Sequence, residues 1–240
     1  MGEPMTAQPP IRALALDTAT SAVVTGVVEL RDEGPVTLAE RIVTDQRRHA
    51  EVLTTLMRDV LAEAGVAGDA LDAVVVGCGP GPFTGLRVGM ATGAAYADAL
   101  GLPAYGVCTL DAIDRGTPAP EAGTRLVLTD ARRREVYWAL YEAGRRVAGP
   151  AVDSPDTLVA ELAGRTLSDV VGESRFTERF GAAGADLVTP TPASLVAVAA
   201  ERLTARAPAE PLTPLYLRRP DAVELKDQKR KSLLPSATHE

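Results

Sequence analysis

Gly77-Cys78-Gly79-Pro80-Gly81-Pro82-Phe83-Thr84-Gly85-Leu86-Arg87-Val88-Gly89 follows the apolar run Ala73-Val74-Val75-Val76 and leads into a helix-like segment that ends at Leu100, Gly101 and Pro103. A short buried strand, a turn of glycine and proline and then a helix make a unit of the α/β class. The turn fails the spacing of two familiar phosphate loops. The pattern G-x-G-x-x-G is broken because Pro82 lies three residues after Gly79 and Thr84 three after Gly81; a P-loop is broken because Leu86 follows Gly85. What remains is a loop poor in side chains, where Gly79 and Gly81 allow a backbone or a phosphate to come close, and where Thr84 can cap the helix. A plain strand-to-helix turn fits the same residues.

Inside that helix Gly85, Gly89, Gly93 and Ala97 recur every four residues. An interior glycine costs about 1 kcal/mol against alanine, so something must pack closely on the stripe. One candidate is an intramolecular helix, that carrying His49, where Leu53, Leu56, Met57, Val60, Leu61 and Ala64 recur at three and four until Gly65. The other is a second subunit packed on both helices. On the second reading Gly89→Leu weakens association more than folding.

Outward from this unit, strand-like runs span Ile11 to Asp17, Ala22 to Leu30, Val36 to Val43 and Ala104 to Cys108, then Arg125 to Asp130, Glu135 to Glu142 and a short Thr213 to Arg218. Leu14-Ala15-Leu16-Asp17 is echoed by Val127-Leu128-Thr129-Asp130, which suggests a duplicated architecture. The expected division is a disordered 1–10, halves at 11–108 and 109–220, and a mobile tail from 221 holding Lys226, Lys229 and Lys231. Ser154-Pro155 and Thr191-Pro192 each place a capping hydroxyl before a proline and mark further helix starts.

The 240 residues are 46% apolar, enough for a real core, and no apolar run reaches the roughly 18 residues of a spanning helix. With no secretory h-region at Met1 to Pro10, a cytoplasmic protein is expected. A net charge of -7 argues against autonomous, tight nucleic-acid binding; an RNA substrate would need a second, more basic chain. Cys78 and Cys108 lack metal spacing and read as buried thiols. A metal site needs several converging ligands, usually including neighbouring His or Cys, and the chain has only His49 and, in the tail, His239, so no metal site is expected, and His49 reads as a surface or interface residue. Asp17, before Thr18-Ala19-Thr20-Ser21, can hold a phosphate-linked metal network or close an Asx turn. Asp130, followed by Arg132, Arg133 and Arg134, carries the same ambiguity.

In order along the chain, Leu16-Asp17-Thr18-Ala19-Thr20, His49-Ala50-Glu51 with Leu53, Gly79-Pro80-Gly81-Pro82-Phe83-Thr84-Gly85-Leu86-Arg87-Val88-Gly89, Asp130-Ala131-Arg132-Arg133-Arg134-Glu135-Val136-Tyr137-Trp138 and Pro214-Leu215-Tyr216-Leu217-Arg218 resemble the TsaB (YeaZ) family. The resemblance covers about Ile11 to Arg218 and departs at Pro82, where that family usually has serine. It implies the duplicated acetate/sugar-kinase, Hsp70 and actin (ASKHA) fold. It implies a non-catalytic subunit that activates TsaD, the catalytic subunit transferring a threonylcarbamoyl group to the adenosine beside the tRNA anticodon, with the ATPase TsaE completing the assembly. The interface would comprise His49, Leu53, Leu56, Met57, Val60, Gly85, Leu86, Gly89, Gly93 and Ala97, used with TsaD or in a homodimer. Asp17, Thr18, Gly79, Gly81, Thr84 and Asp130 are the nucleotide candidates, with ATP or ADP at the TsaD interface, no intrinsic cofactor, and tRNA reached only through the complex. The alternative is a stand-alone ATP-dependent phosphotransferase of the same fold.

Overall fold

A computed structural model of the chain describes residues 9–44, 49–118, 120 and 123–218. The tail expected to be mobile and most of the N-terminal segment lie outside the described residues. The first part of the chain forms β1 (Ile11–Asp17), β2 (Val23–Arg31), β3 (Gly34–Val43), α1 (His49–Ala64), β4 (Ala73–Gly77), α2 (Phe83–Leu100), β5 (Ala104–Val107) and α3 (Thr109–Gly116). The second forms β6 (Thr124–Asp130), β7 (Val136–Glu142), β8 (Arg145–Asp153), α4 (Pro155–Glu161), β9 (Leu167–Val171), α5 (Ser174–Thr177) and α6 (Pro192–Thr204).

The strands make a sheet of order β3-β2-β1-β4-β5 and another of order β8-β7-β6-β9. In both, an antiparallel meander is followed by a helix and by a strand that returns parallel to the first, so the echo of Asp17 at Asp130 marks a repeated topology. The mixed α/β architecture in two related halves is the one expected.

Side-chain alternation assigns the layers. On β1, Leu14 and Leu16 face the core shared with Leu53, Met57, Val60 and Leu86 of α1 and α2, while Ala13 and Ala15 face Leu195, Val196 and Ala199 of α6. The sequence boundary at 109 does not hold α6 with the second half: it returns to cover the open face of the first sheet. Small residues permit this approach, and a Cβ on Gly26 would lie 2.7 Å from Pro192 Cγ. Both expected caps form, with Ser154 Oγ accepting from Thr157 N at 3.1 Å and Thr191 Oγ1 from Ser194 N at 3.1 Å.

Three elements carry little sequence signal. Strand β8 is a half-exposed edge strand with a register shift at Gly149 and Pro150, β9 is a short edge strand, and α3 is a short helix whose apolar residues serve two layers. Ala112 of α3 faces the first sheet, whereas Leu110 and Ile113 face Val127, Tyr137 and Ala139 of the second. Thr213 to Arg218, expected as a strand, is instead an extended strap. Pro214 removes a ladder donor, and Leu215 N makes a bond to Cys78 O at 2.9 Å. Leu212 packs on the first core and Leu215 and Leu217 on the second, so the strap crosses between halves.

A buried cation ties α3 to the second sheet. Arg125, 2% exposed, binds Asp114 Oδ1 at 3.1 Å and Asp169 Oδ2 at 2.8 Å, and its remaining donors reach the carbonyls of Asp114, Thr117 and Pro118. Burial pushes the Asp114 carboxyl above its ordinary value despite this partner. Cys78 and Cys108 are free and buried, as expected, and burial pushes their thiols up to about 12 and about 11. No helix among the described residues is long and apolar enough to cross a membrane.

Candidate functional site

The glycine turn closes over the end of β1. Asp17 is fully buried; its Oδ1 accepts from Ala19 N at 2.7 Å, the Asx geometry, and its Oδ2 accepts from Thr109 Oγ1 at 2.6 Å. Thr109 Oγ1 also accepts from Gly79 N at 3.2 Å, and Thr109 N donates back to Gly79 O at 2.7 Å. Gly77 and Gly81 press on this turn so closely that a Cβ would stand 1.7 Å from Asp17 Oδ2 or 2.3 Å from Ala19 O. Asp17, Thr18, Gly79 and Gly81 are thus brought together, with Thr109 as a further member. In this arrangement the carboxylate presents no oxygen to solvent. Thr109 had only a weak sequence signal, a hydroxyl just past the end of an apolar strand.

Burial raises the Asp17 pKa from 3.8 to about 6, against the opposing bonds from Thr109 and Ala19. A carboxyl whose folded pKa lies above its unfolded value binds protons better when folded, so the contribution of Asp17 to stability is fully present below about pH 4 and is lost as pH rises through 6. This group alone removes up to about 3 kcal/mol across that window. Asp17→Asn is expected to abolish that slope, read as the wild-type minus variant difference in urea midpoints between pH 4 and 7. A difference that stays constant over the window contradicts it.

The stripe on α2 faces inward. Thr18 Oγ1 donates to Gly85 O at 2.6 Å and accepts from Gly89 N at 3.1 Å, so one hydroxyl spans a helical rung. A Cβ would meet Thr18 O at 2.4 Å from Gly85, Thr18 Oγ1 at 2.3 Å from Gly89 and Val76 Cγ2 at 2.6 Å from Gly93. The neighbour that compensates these glycines is therefore neither α1 nor a second subunit but the chain's own β1 turn and β4. Leu53, Met57, Val60, Leu86, Gly89, Gly93 and Ala97 are all buried, and Leu56 packs against the same core. The expectation that Gly89→Leu weakens association more than folding is opposed by this geometry, which puts the added side chain against the chain's own Thr18. Backbone position alone is described for His49, whose side chain lies outside the described residues.

Thr84 does not cap α2: Pro82 occupies the cap position without a side-chain bond, because the helix already starts at Phe83. Asp130 sits on the other half, paired with Arg175 at 3.2 Å, and its turn approaches the glycine loop through Tyr137, whose hydroxyl donates to Gly81 O at 3.4 Å. A groove of about 230 Å³ runs between them, lined by Phe83, Thr84, Arg132, Tyr216 and Arg218. Among the described residues no group of three or more His, Cys, Asp or Glu is placed to hold a metal ion.

The outer face of the two helices is different in kind. Thr54, Arg58 and Leu61 of α1 and Ala91, Thr92, Ala95, Tyr96 and Ala99 of α2 line a shallow, largely apolar groove of about 750 Å³ floored by Met57. Ala91, Ala95 and Ala99 recur every four residues and are exposed. They form a second small-residue stripe, on the side of α2 away from the glycines, and their spacing was there to be read.

Comparison with known proteins bears on these features. Residues 37–177 match the family model of TsaD: tRNA N6-adenosine threonylcarbamoyltransferase. The chain is 51% identical to an uncharacterised protein of Mycobacterium leprae over 87% of its own length, and spans 55% of that relative. It is 31% identical to the tRNA threonylcarbamoyladenosine biosynthesis protein TsaB of Escherichia coli, covering 68% of this chain and 69% of that one. The solved structure of YeaZ from Pseudomonas aeruginosa superposes with a TM-score of 0.69 at 29% identity, over 86% of this chain and all of that one. With the match to TsaB carried by both sequence and fold, the chain belongs to the TsaB (YeaZ) family.

Proposed function

We propose that the chain is a non-catalytic subunit of tRNA threonylcarbamoyladenosine synthesis that docks on a TsaD-type transferase through the outer face of α1 and α2 and activates it. The observation that carries this is the exposed apolar groove with its alanine stripe at 91, 95 and 99. Small residues at intervals of four let two helices approach closely, and an apolar patch of this kind marks an interaction surface. Its occupant is a chain of related fold, because the family model matched across α1 and α2 is that of the transferase. Such a partner carries the corresponding helix pair, and the two pairs form a four-helix seam. A TsaE-type ATPase completes the assembly, and tRNA is modified on the transferase. ATP or ADP is placed by this proposal at the interface with the transferase; the closed turn at Asp17 offers no oxygen to a metal-bound phosphate within the chain itself.

Ala95→Glu tests this. A carboxylate buried unpaired against an apolar partner costs about 3–5 kcal/mol, or some hundredfold or more in affinity. The variant is expected to melt like the wild type, lose co-purification with the transferase, and lose transferase-dependent modification of tRNA. Undiminished association, or modification that proceeds without this chain, contradicts the proposal. A homodimer broken by the same substitution while the transferase still binds would assign the face to self-association instead.

A further inference from the structure

The two hairpin turns that the duplication places in corresponding positions have opposite fates. Residues 18–20, after β1, are buried under the glycine loop, whereas Arg132, Arg133 and Arg134, after β6, are all exposed. Those three arginines have φ values of 65, 52 and 64°, a left-handed run that non-glycine residues rarely adopt. Surrounding bonds impose it. Arg132 N donates to Asp130 Oδ1 at 2.8 Å, Glu135 N to Arg132 O at 2.9 Å, and Ala131 N to Glu135 O at 3.0 Å. The strap locks the turn from beneath, with Arg218 Nη1 on Ala131 O and Nη2 on Glu135 Oε2, both at 2.7 Å.

The cationic groups continue past the turn. Arg175 pairs with Asp130 and Glu173 at its edge, and across the groove Arg87 lies 3.7 Å over the Phe83 ring while its Nε donates to the Tyr216 hydroxyl. Among the described residues, arginines at 87, 132, 133, 134, 175 and 218 gather here, with Asp130 paired to Arg132 and Arg175, Glu173 to Arg175 and Glu135 to Arg218, in a chain whose net charge is -7. Tyr216, 42% exposed, adds an aromatic ring beside them.

We propose that this arginine turn and the groove beside it bind the phosphodiester backbone of RNA, so that the chain itself contacts the tRNA within the assembly. Guanidinium forks match phosphate oxygens, and cations fanned over consecutive residues suit a run of phosphates better than one enclosed anion. Tyr216, 42% exposed and packed at a 32° tilt against the Phe83 ring, supplies an aromatic surface on which a base can stack. The overall acidity keeps the affinity of the isolated chain low and confines RNA to this patch. The choice of tRNA as the RNA rests on the function proposed above; the recognition of phosphate does not.

The test is fluorescence anisotropy with a labelled tRNA transcript at 50 to 200 mM salt, on the chain alone and on its complex with the transferase. Arg133→Asn with Arg134→Asn is the principal variant, since asparagine tolerates the left-handed conformation, and Arg87→Gln on helical backbone is the second. The double variant is expected to weaken RNA binding about fivefold or more at low salt. It should also reduce the slope of log affinity against log salt by about 1.4–1.8. Unchanged affinity and slope in both variants overturn the proposal. So does a double variant that loses the transferase but binds RNA normally, which would make the patch a protein contact, or equal arginine-dependent binding of poly-glutamate. Association with the transferase measured without RNA reports separately on the function proposed above; arginine-dependent RNA binding by the chain alone upholds this site even if that association is absent.

Discussion

Gly89→Leu is expected to destabilise the folded chain severely, whatever it does to association. The first atom of any side chain at this position would sit 2.3 Å from Thr18 Oγ1. Thr18 is 1% exposed and its hydroxyl is held by Gly85 O and Gly89 N, so neither partner can move without breaking the contact between α2 and the β1 turn. Overpacking and the lost bonds together cost at least about 3 kcal/mol, which for a chain of this size lowers Tm by about 6–12 °C or more. Ala91→Leu, on the exposed side of the same helix, is the control and is expected to shift stability by less than about 0.5 kcal/mol. Thermal melts of the two variants decide the matter. A Gly89→Leu protein that melts like the wild type would put the glycine stripe back on the surface.

Arg125→Met is expected to cost about 3–5 kcal/mol, since it strands the Asp114 carboxylate, with a side chain 6% exposed, and leaves buried carbonyls without a donor. Against a total stability of about 5–15 kcal/mol this is a large fraction, and the loss falls where α3 joins the two sheets. Because the penalty comes mainly from the unpaired charge, adding Asp114→Leu is expected to recover much of it. A double-mutant cycle by urea unfolding measures the coupling. Losses that simply add would show that Arg125 acts through packing of its stem and not through the ion pair. Protonation of Asp114, whose carboxyl burial already raises, relieves the stranded charge, so the defect of Arg125→Met should shrink as pH falls.

Much of the fold was legible because its signals are local. The apolar run from Leu14 to Leu16 ending in Asp17, helix periodicity from Leu53 to Ala64, the stops at Gly65 and Gly101, and both hydroxyl-proline caps each depend on a few adjacent residues. Elements whose identity rests on distant partners were less so. Helix α3 divides its apolar residues between two sheets, β8 is an edge strand whose register shifts at Gly149-Pro150, and the strap ending at Arg218 is fixed by contacts with Cys78, Phe83 and Ala131 far earlier in the chain. The candidate site divides in the same way. The motifs at Asp17, Gly79 and Asp130 stand out in the sequence, but the burial of one hairpin turn and the exposure of the other do not.

The run from Gly77 to Gly89 shows where that boundary lies. By itself the sequence determined that a strand passes through a glycine turn into a helix, and that something must approach closely enough to justify Gly85, Gly89 and Gly93. Only the tertiary structure decided what approaches. Helix α2 carries small residues at intervals of four on two sides, the glycines and then Ala91, Ala95 and Ala99, and periodicity is blind to the rotation of a helix about its axis. That rotation is set by burial of Leu86, Met90 and Ala97 against the first sheet, which turns the glycines onto Thr18 and Val76 and leaves the alanines outward.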